Sequence, residues 1–212
     1  MAVIISESRK FCFIHIPRTG GTTIKKLLSN EVDDLKEINN NPYSTIGDAI
    51  KLSPELINDD YYKFSYVRNP YDLLVSLFSS INFNINHPDY KIIRQLSFPE
   101  FIEWLNDVGM KREDDGKTPI YIKQSDYLFI NNKLSVDYVY RYEEICDDMS
   151  TSNINSLFLK LGYDMPNNIP VLNKSERSFD WSYLYNDRAY RLVNRLFLDD
   201  FVNFKYHRKD VR

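Results

Sequence analysis

Residues 11–23 have the sequence Phe-Cys-Phe-Ile-His-Ile-Pro-Arg-Thr-Gly-Gly-Thr-Thr, and this stretch decides the fold. An apolar run ends at Pro17, and a cation, two adjacent glycines and two hydroxyl residues follow. That order predicts a buried strand from Phe11 to Ile16, then a tight turn and a helix. Glycines let the backbone approach an anion, and the amides at the start of a helix point towards it. The sequence therefore predicts an anion site here, to which Arg18 adds a full positive charge.

A second segment of the same kind covers residues 67–76, Val-Arg-Asn-Pro-Tyr-Asp-Leu-Leu-Val-Ser. Asn69 is suited to cap a helix whose first residue is Pro70. Arg68 then lies where a strand gives way to a helix, and Ser76 follows within about two helical turns. An arginine fork and a hydroxyl together suit a dianionic phosphate. Two anion sites, each after a strand, predict a ligand that carries phosphate groups at two ends.

The remaining pattern alternates strands with helices. Apolar residues at strand or helix spacing predict further strands at 64–67 and 136–140, and helices at about 24–28, 45–52, 98–105, 153–161 and 181–204. Such alternation predicts an α/β fold with a mainly parallel central sheet flanked by helices. No linker or repeat divides the chain, so we expect a single domain over residues 1–212.

Composition narrows the class of protein. The net charge of −3 argues against a general nucleic-acid binder, so no nucleic-acid partner is expected. Cys12 and Cys146 have neither metal nor redox spacing and are expected to be reduced thiols. No metal-ligand cluster is visible, so we expect no metal. No segment has the length and apolarity of a signal peptide or a membrane span, so we expect a cytoplasmic chain.

The two anion segments resemble the binding motifs of the sulfotransferases that use 3′-phosphoadenosine 5′-phosphosulfate (PAPS). Residues 17–23 are similar to that family's 5′-phosphosulfate loop, usually Pro-Lys-Thr-Gly-Gly-Thr-Ser/Thr. Residues 68–76 are similar to its 3′-phosphate motif, Arg-Asn-Pro-Tyr-Asp-Arg-Leu-Val-Ser. Weaker likeness occurs at 136–143, 172–175 and 199–206. The resemblance thus spans most of the chain in the family's order, and it is closest to the carbohydrate-type members.

The resemblance implies a P-loop-like sulfotransferase architecture and an enzyme that moves the sulfuryl group from PAPS to a hydroxyl of a sugar or glycan, releasing 3′-phosphoadenosine 5′-phosphate (PAP). Arg18 would neutralise charge on the leaving oxygen, and Arg68 and Ser76 would hold the 3′-phosphate. The implied contacts of the 5′-phosphosulfate are Thr19, Gly20, Gly21, Thr22 and Thr23. Lys174 and Ser175 would lie in a late loop that also contacts the cofactor.

The chain departs from the family pattern at two points. Arg18 replaces the usual lysine, which keeps the charge but removes a proton donor at neutral pH. Many carbohydrate-type relatives have a histidine base between the motifs, and residues 42–45 here are Pro-Tyr-Ser-Thr. His15 is the histidine nearest the loop and is our candidate catalytic base, although a buried histidine bonded to a backbone carbonyl is the alternative. The other candidate bases are Glu31, Asp48 and His87.

Two further functions stay open from the sequence. A nucleotide-dependent kinase of related fold needs Gly-Lys-Ser/Thr after the loop, and no lysine follows Gly21 directly. A catalytically inactive module that binds PAP or PAPS is favoured by the lost lysine and the missing histidine. Binding of PAP without sulfate transfer would separate that module from an enzyme.

Overall fold

The computed structural model describes residues 3–38, 41, 43–58, 60–108, 123–146, 151–164 and 180–211. The chain divides into two compact units, one of residues 1–68 with 126–174 and one of residues 69–125 with 175–212. The first unit holds the sheet and the glycine loop. The predicted single-domain organisation stays a prediction.

The strands of the first unit form a mixed sheet. They are β1 (Val3–Ser6), β2 (Phe11–Ile14), β3 (Lys36–Glu37), β4 (Tyr62–Val67) and β7 (Tyr138–Arg141), with β5 (Phe129–Ile130) and β6 (Lys133–Leu134) in a separate hairpin. The sheet order is β3-β1-β2-β4-β7. β2 pairs parallel with β4, and β4 parallel with β7, whereas β1 is antiparallel to both β2 and β3.

The predicted mainly parallel sheet is therefore wrong, although the α/β class is confirmed. The predicted strands did not include β1, although Val3, Ile4 and Ile5 form a short run of β-branched apolar residues. Only residues 7–10 separate β1 from β2, and a parallel connection needs a dozen residues or more. The chain therefore turns straight back, and Lys10 adopts a left-handed backbone with φ of 52° in that turn.

The helices confirm most of the sequence pattern. They are α1 (Gly21–Glu31), α2 (Ile46–Leu52), α3 (Pro70–Phe83), α4 (Tyr90–Ile93), α5 (Phe98–Val108), α6 (Gln124–Leu128), α7 (Glu143–Cys146), α8 (Thr151–Lys160), α9 (Asp187–Leu196) and α10 (Leu198–Asn203), with 3₁₀ turns at Pro54–Ile57 and Trp181–Leu184. Asn69 caps α3 as predicted, accepting from the Tyr71 amide at 3.0 Å. The described residues contain no helix that is long and apolar enough to cross a membrane.

The single helix predicted over residues 181–204 is wrong, because the chain breaks there twice. Tyr185 is extended, and Asn186 starts a new helix by accepting a hydrogen bond from the Ala189 amide at 2.8 Å. Phe197 ends that helix with a φ of −106°. An apolar stripe that continues across such breaks imitates one long helix in sequence.

Aromatic residues on one face of the sheet form the core of the first unit. Phe13 on β2 stacks on Phe64 on β4 with ring centroids 5.1 Å apart, and Tyr140 on β7 meets Phe64 edge-on at 6.0 Å. Apolar residues of α1 and α8 complete the cluster, including Leu28 and Phe158. Because this core joins β2, β4 and β7, it fixes the strand ends from which both anion segments emerge.

The second unit has its own core, built by α3, α5, α9 and α10 around Tyr71 and Phe101. The fully buried carboxylate of Asp200 accepts hydrogen bonds from the amides of Gln124 and Ser125 at 2.9 and 2.8 Å. Burial raises the pKa of Asp200, and these hydrogen bonds oppose the rise. Several donors satisfy the buried carboxylate, and they fix Gln124 and Ser125 against α10.

Two neighbouring residues of β4 give a stability test. The Ser65 hydroxyl donates to the Ile14 carbonyl at 2.7 Å, whereas the buried Tyr66 hydroxyl has no partner among the described residues. Ser65→Ala should lower the free energy of unfolding by about 1 kcal/mol, and Tyr66→Phe should leave it unchanged or raise it by about 1 kcal/mol. Urea denaturation measures both changes. A loss in Tyr66→Phe as large as that in Ser65→Ala would show that the phenol is bonded.

Candidate active site

The two anion segments emerge side by side at one edge of the sheet. β2 and β4 are parallel neighbours, with Ile14 opposite Ser65, so the chain leaves both strands at their carboxyl ends in the same direction. The guanidinium of Arg68 then donates from Nη1 to the carbonyl oxygen of Arg18 at 3.1 Å. The predicted cation after β4 therefore contacts the predicted anion loop after β2 directly.

The turn after β2 is held by its own hydrogen bond and by unusual backbone angles. The Thr19 hydroxyl is fully buried and donates to the Ile16 carbonyl at 2.8 Å. Arg18 and Gly20 both have left-handed backbones, with φ of 70° and 86°. Such a conformation costs a non-glycine residue about 1 kcal/mol or more, and it persists only where the surroundings impose it. The Thr19 hydroxyl is thus engaged in the turn, and the anion contact that the resemblance implies for Thr19, through its backbone amide, stays a prediction.

In the described part of the chain, the start of α1 has neither a side-chain cap nor an acidic residue in its first turn. Gly20 occupies the cap position and supplies no side-chain hydrogen bond, and the first turn of α1, described in full, contains no acidic residue. The amides of Thr23 and Ile24 donate to the Gly20 carbonyl at 2.9 and 3.3 Å, as the first helical bonds. The positive end of the helix dipole is thus neutralised by neither a cap nor a carboxylate of α1. Thr22 is exposed at this end, whereas Thr23 is buried.

Neighbouring side chains leave no room for a Cβ at Gly20 or Gly21. A Cβ on Gly21 would lie 1.6 Å from Cδ2 of His15, and a Cβ on Gly20 would lie 2.8 Å from Cδ2 of Tyr142. The imidazole of His15, only 8% exposed, therefore lies directly against the loop backbone. The sequence motif predicted the glycines for anion approach, and the structure adds a packing reason. The role of His15 as a base stays a prediction.

Arg68 is held rigidly. It is 6% exposed, and its guanidinium lies 4.1 Å above the ring of Tyr142. Tyr142 follows β7 at the same sheet edge, and its amide donates to the Val67 carbonyl at 2.7 Å. The same ring contacts Gly20, so Tyr142 joins the two anion segments through a third strand end. A planar guanidinium stacked on an aromatic ring loses little further freedom when it binds an anion.

The sequence reasoning did not single out Tyr142. The available signal was its position two residues after a predicted parallel strand, since the carboxyl ends of parallel strands lie at one edge. A ring that follows such a strand is a candidate for contact with the loops beside it.

Three further cofactor contacts are predicted, at Ser76, Lys174 and Ser175. Ser76 belongs to the second unit, where it is buried on α3. Lys174 and Ser175 lie outside the described residues. The roles of these three residues stay predictions.

One cation of α1 is paired with a carboxylate of the sheet. Lys25 on α1 pairs with Glu37 on β3. That hydrogen bond is the main cause that lowers the pKa of Glu37, and the charge of His15 adds a smaller effect in the same direction.

Burial raises the pKa of the free thiol of Cys12 to about 12, which keeps it protonated and unreactive.

The alternative bases have other surroundings. Asp48 accepts hydrogen bonds from the amide and the hydroxyl of Thr45, both at 2.9 Å, and so completes a capping box at the start of α2. Glu31 is exposed at the far end of α1 from the loop. His87 lies in the second unit, where burial lowers its pKa. His15 is therefore the candidate base that contacts the loop.

A sequence model described as the sulfotransferase family matches residues 1–207. The chain belongs to the sulfotransferase family. The resemblance inferred from residues 17–23 and 68–76 is thereby confirmed, and the family is one of enzymes that transfer sulfate. No curated protein and no solved structure matches the chain. The described part of this sulfotransferase contains no cluster of residues that could hold a metal ion.

The contact of Gly21 with His15 predicts a coupled pair of substitutions. Gly21→Ala should lower the free energy of unfolding by about 2 kcal/mol, because the new methyl group overlaps the imidazole. His15→Ala in the same chain should recover about 1 kcal/mol or more of that loss. Urea denaturation of the two single variants and the double variant measures the coupling.

Gly47→Ala is the matched control, because a Cβ there has its nearest neighbour at 3.6 Å. This substitution in α2 should be neutral or stabilising by about 0.5–1 kcal/mol. Additive losses for Gly21→Ala and His15→Ala would contradict the contact.

Proposed function

We propose that this sulfotransferase moves the sulfuryl group from PAPS to a hydroxyl of a sugar or glycan. The observation that carries the proposal is the direct contact of Arg68 with the Arg18 carbonyl beside the open start of α1. PAPS carries its 5′-phosphosulfate and its 3′-phosphate on a single ribose, so its two anionic ends need two cationic sites close together. Two adjacent strand ends supply that spacing, since parallel neighbours lie about 4.8 Å apart.

The residues after β2 fit the 5′-phosphosulfate. The amides of Gly21 and Thr22 lie at the start of α1, where the helix dipole favours an anion. Gly20 at the cap position supplies no side chain that would compete with an anion for these amides, whereas the spaces beside Cα of Gly20 and Gly21 are filled by Tyr142 and His15. The exposed hydroxyl of Thr22 adds a donor at the same end. These groups are fixed before the donor binds, which is the condition for electrostatic stabilisation of a transition state.

Arg68 suits the 3′-phosphate, as the resemblance implies. Its guanidinium lies over the Tyr142 ring and donates to the Arg18 carbonyl, and its planar fork matches the oxygens of a phosphate. The family motif adds Ser76 as a second contact. Arg68 thereby fixes the position of the donor. The residues after β2 act at the 5′-phosphosulfate, where the S–O bond breaks.

Arg18 stabilises the leaving group in this proposal. The S–O bond to the 5′-phosphate breaks as the acceptor oxygen forms a new S–O bond, and negative charge develops on the phosphate oxygen that leaves. A permanent cation at position 18 stabilises that charge without giving up a proton. The acceptor hydroxyl loses its proton, and His15 is the candidate base because its ring contacts the loop at Gly21.

Transfer of labelled sulfate tests the function. Purified protein is incubated with ³⁵S-PAPS and a panel of glycans, phenols and peptides, and labelled products are separated and counted. We expect label on a glycan, and a loss of turnover of at least tenfold in Arg18→Ala with a smaller change in PAPS affinity, because the charge matters most as the leaving group departs. PAP binding with no transfer to any acceptor would support the inactive module instead, and label on phenols alone would overturn the glycan assignment.

Substitution of Arg68 tests the 3′-phosphate site. Arg68→Ala should weaken PAP binding by about 2 kcal/mol, roughly thirtyfold in Kd, and Arg68→Lys should recover part of the loss, because it restores the charge without the fork. Calorimetry with PAP and with adenosine 5′-phosphate measures this. The loss should be several-fold smaller for adenosine 5′-phosphate, which lacks the 3′-phosphate and reports only the effect of Arg68 on the loop after β2.

Arg94→Ala is the matched control, because Arg94 is an exposed arginine that also lies over a tyrosine ring, that of Tyr90. Its PAP affinity should equal that of the unsubstituted protein. An equal loss for both nucleotides in Arg68→Ala would count against the 3′-phosphate assignment.

A further inference from the structure

A concavity of about 670 Å³ lies in the first unit. It is lined by residues at the amino ends of β4 and β7, by the turn before β2, and by α8, including Lys10, Tyr62, Tyr138 and Lys160. We call it the amino-edge pocket. The five residue steps from Tyr62 to Val67 along β4 cover about 17 Å, so this pocket and the PAPS site lie at opposite edges of the sheet.

Three cations line the amino-edge pocket, and each is positioned by a tyrosine. Arg9 lies 4.4 Å from the centre of the Tyr163 ring, Lys10 lies 4.7 Å from that of Tyr61, and Lys160 lies 5.3 Å from that of Tyr62. Lys10 also pairs with a carboxylate, that of Asp60 at 3.7 Å. No carboxylate of the described residues pairs with Arg9 or Lys160. These two cations are therefore available to an anionic group of a ligand.

Tyrosines supply the pocket with flat rings and neutral hydroxyls. Tyr138 is 50% exposed, and its ring centroid lies 4.5 Å from that of Tyr140. The hydroxyls of Tyr62 and Tyr140 share a hydrogen bond of 3.0 Å. Burial raises the pKa of both phenols, so they stay protonated at neutral pH and serve as donors and acceptors. Such walls suit a ligand with apolar C–H faces and many hydroxyl groups.

Two carboxylates complete the lining and restrict the ligand class. Asp137 accepts a hydrogen bond from the Lys63 amide at 2.6 Å, while its side chain is 47% exposed. Asp60 is exposed and also lines the pocket. Carboxylate oxygens accept hydrogen bonds from hydroxyl groups but repel a dianionic phosphate. The mixture of free cations, carboxylates and rings therefore favours a sugar that carries an acidic group over a nucleotide.

We propose that the amino-edge pocket binds a short acidic saccharide, with Arg9 and Lys160 on its acidic group and Tyr138 against a sugar face. Asp60 and Asp137 accept hydrogen bonds from its hydroxyls. This inference rests on the pocket alone and holds whether or not the chain transfers sulfate. The site is distant from the PAPS site, so both ligands bind at the same time.

NMR titration tests the proposal. A sulfated disaccharide of uronic acid and glucosamine is added to ¹⁵N-labelled protein, with maltose as a neutral sugar and adenosine 5′-phosphate as a nucleotide in parallel titrations. We expect the amides of residues 9, 10, 62, 138 and 160 to shift with the acidic disaccharide and to respond at least tenfold more weakly to maltose. Saturating PAP should leave that Kd unchanged.

Variants identify the contacts. Lys160→Ala and Tyr138→Ala should each weaken disaccharide binding at these amides at least fivefold and leave PAP binding unchanged. Lys51→Ala is the matched control, since Lys51 is an exposed helical lysine of the same unit outside the pocket. The proposal is overturned if the nucleotide binds the pocket more tightly than the disaccharide, if maltose binds equally well, or if none of the three ligands shifts these amides.

Discussion

One hydrogen bond, from Nη1 of Arg68 to the carbonyl oxygen of Arg18, joins the two segments on which the proposed activity depends. It links the turn after β2 to the end of β4, and both strands are fixed by the aromatic core of the sheet. Arg18 is held in a left-handed backbone in the same turn. A charged donor on a backbone carbonyl stabilises that turn more than a neutral donor does. The cation proposed to bind one end of the donor thus also shapes the loop proposed to bind the other.

Tyr142 and His15 support the same arrangement from two sides. Tyr142 contacts both Gly20 and Arg68, and His15 contacts Gly21. Side chains larger than hydrogen are excluded at both glycines by these rings, independently of any ligand. The glycine pair therefore has two physical causes, close packing within the protein and, at the Gly20 cap position, the lack of a side chain that would compete with an anion for the amides. The first is seen in the structure, and the second belongs to the proposed function.

The sequence predicted the features that depend on local chemistry. Asn69 and Pro70 specify the start of α3, and the glycine pair specifies the start of α1, because caps and turns depend on few neighbouring residues. The direction of β1 and the partner of Arg68 were not predictable in this way. Strand direction depended on the short turn at residues 7–10, and the contact with Arg18 depended on the neighbouring order of β2 and β4. The break at Phe197 was hidden by an apolar stripe that continues across it.

The central claim is that a single nucleotide occupies both anion segments. It is tested by titrating PAP into protein with ¹⁵N-labelled backbone and arginine side chains. The account predicts that the amides of Gly21 and Thr22 and the side-chain Nε–H of Arg68 shift together and yield one Kd. Shifts at only one segment, or two different Kd values, would contradict it.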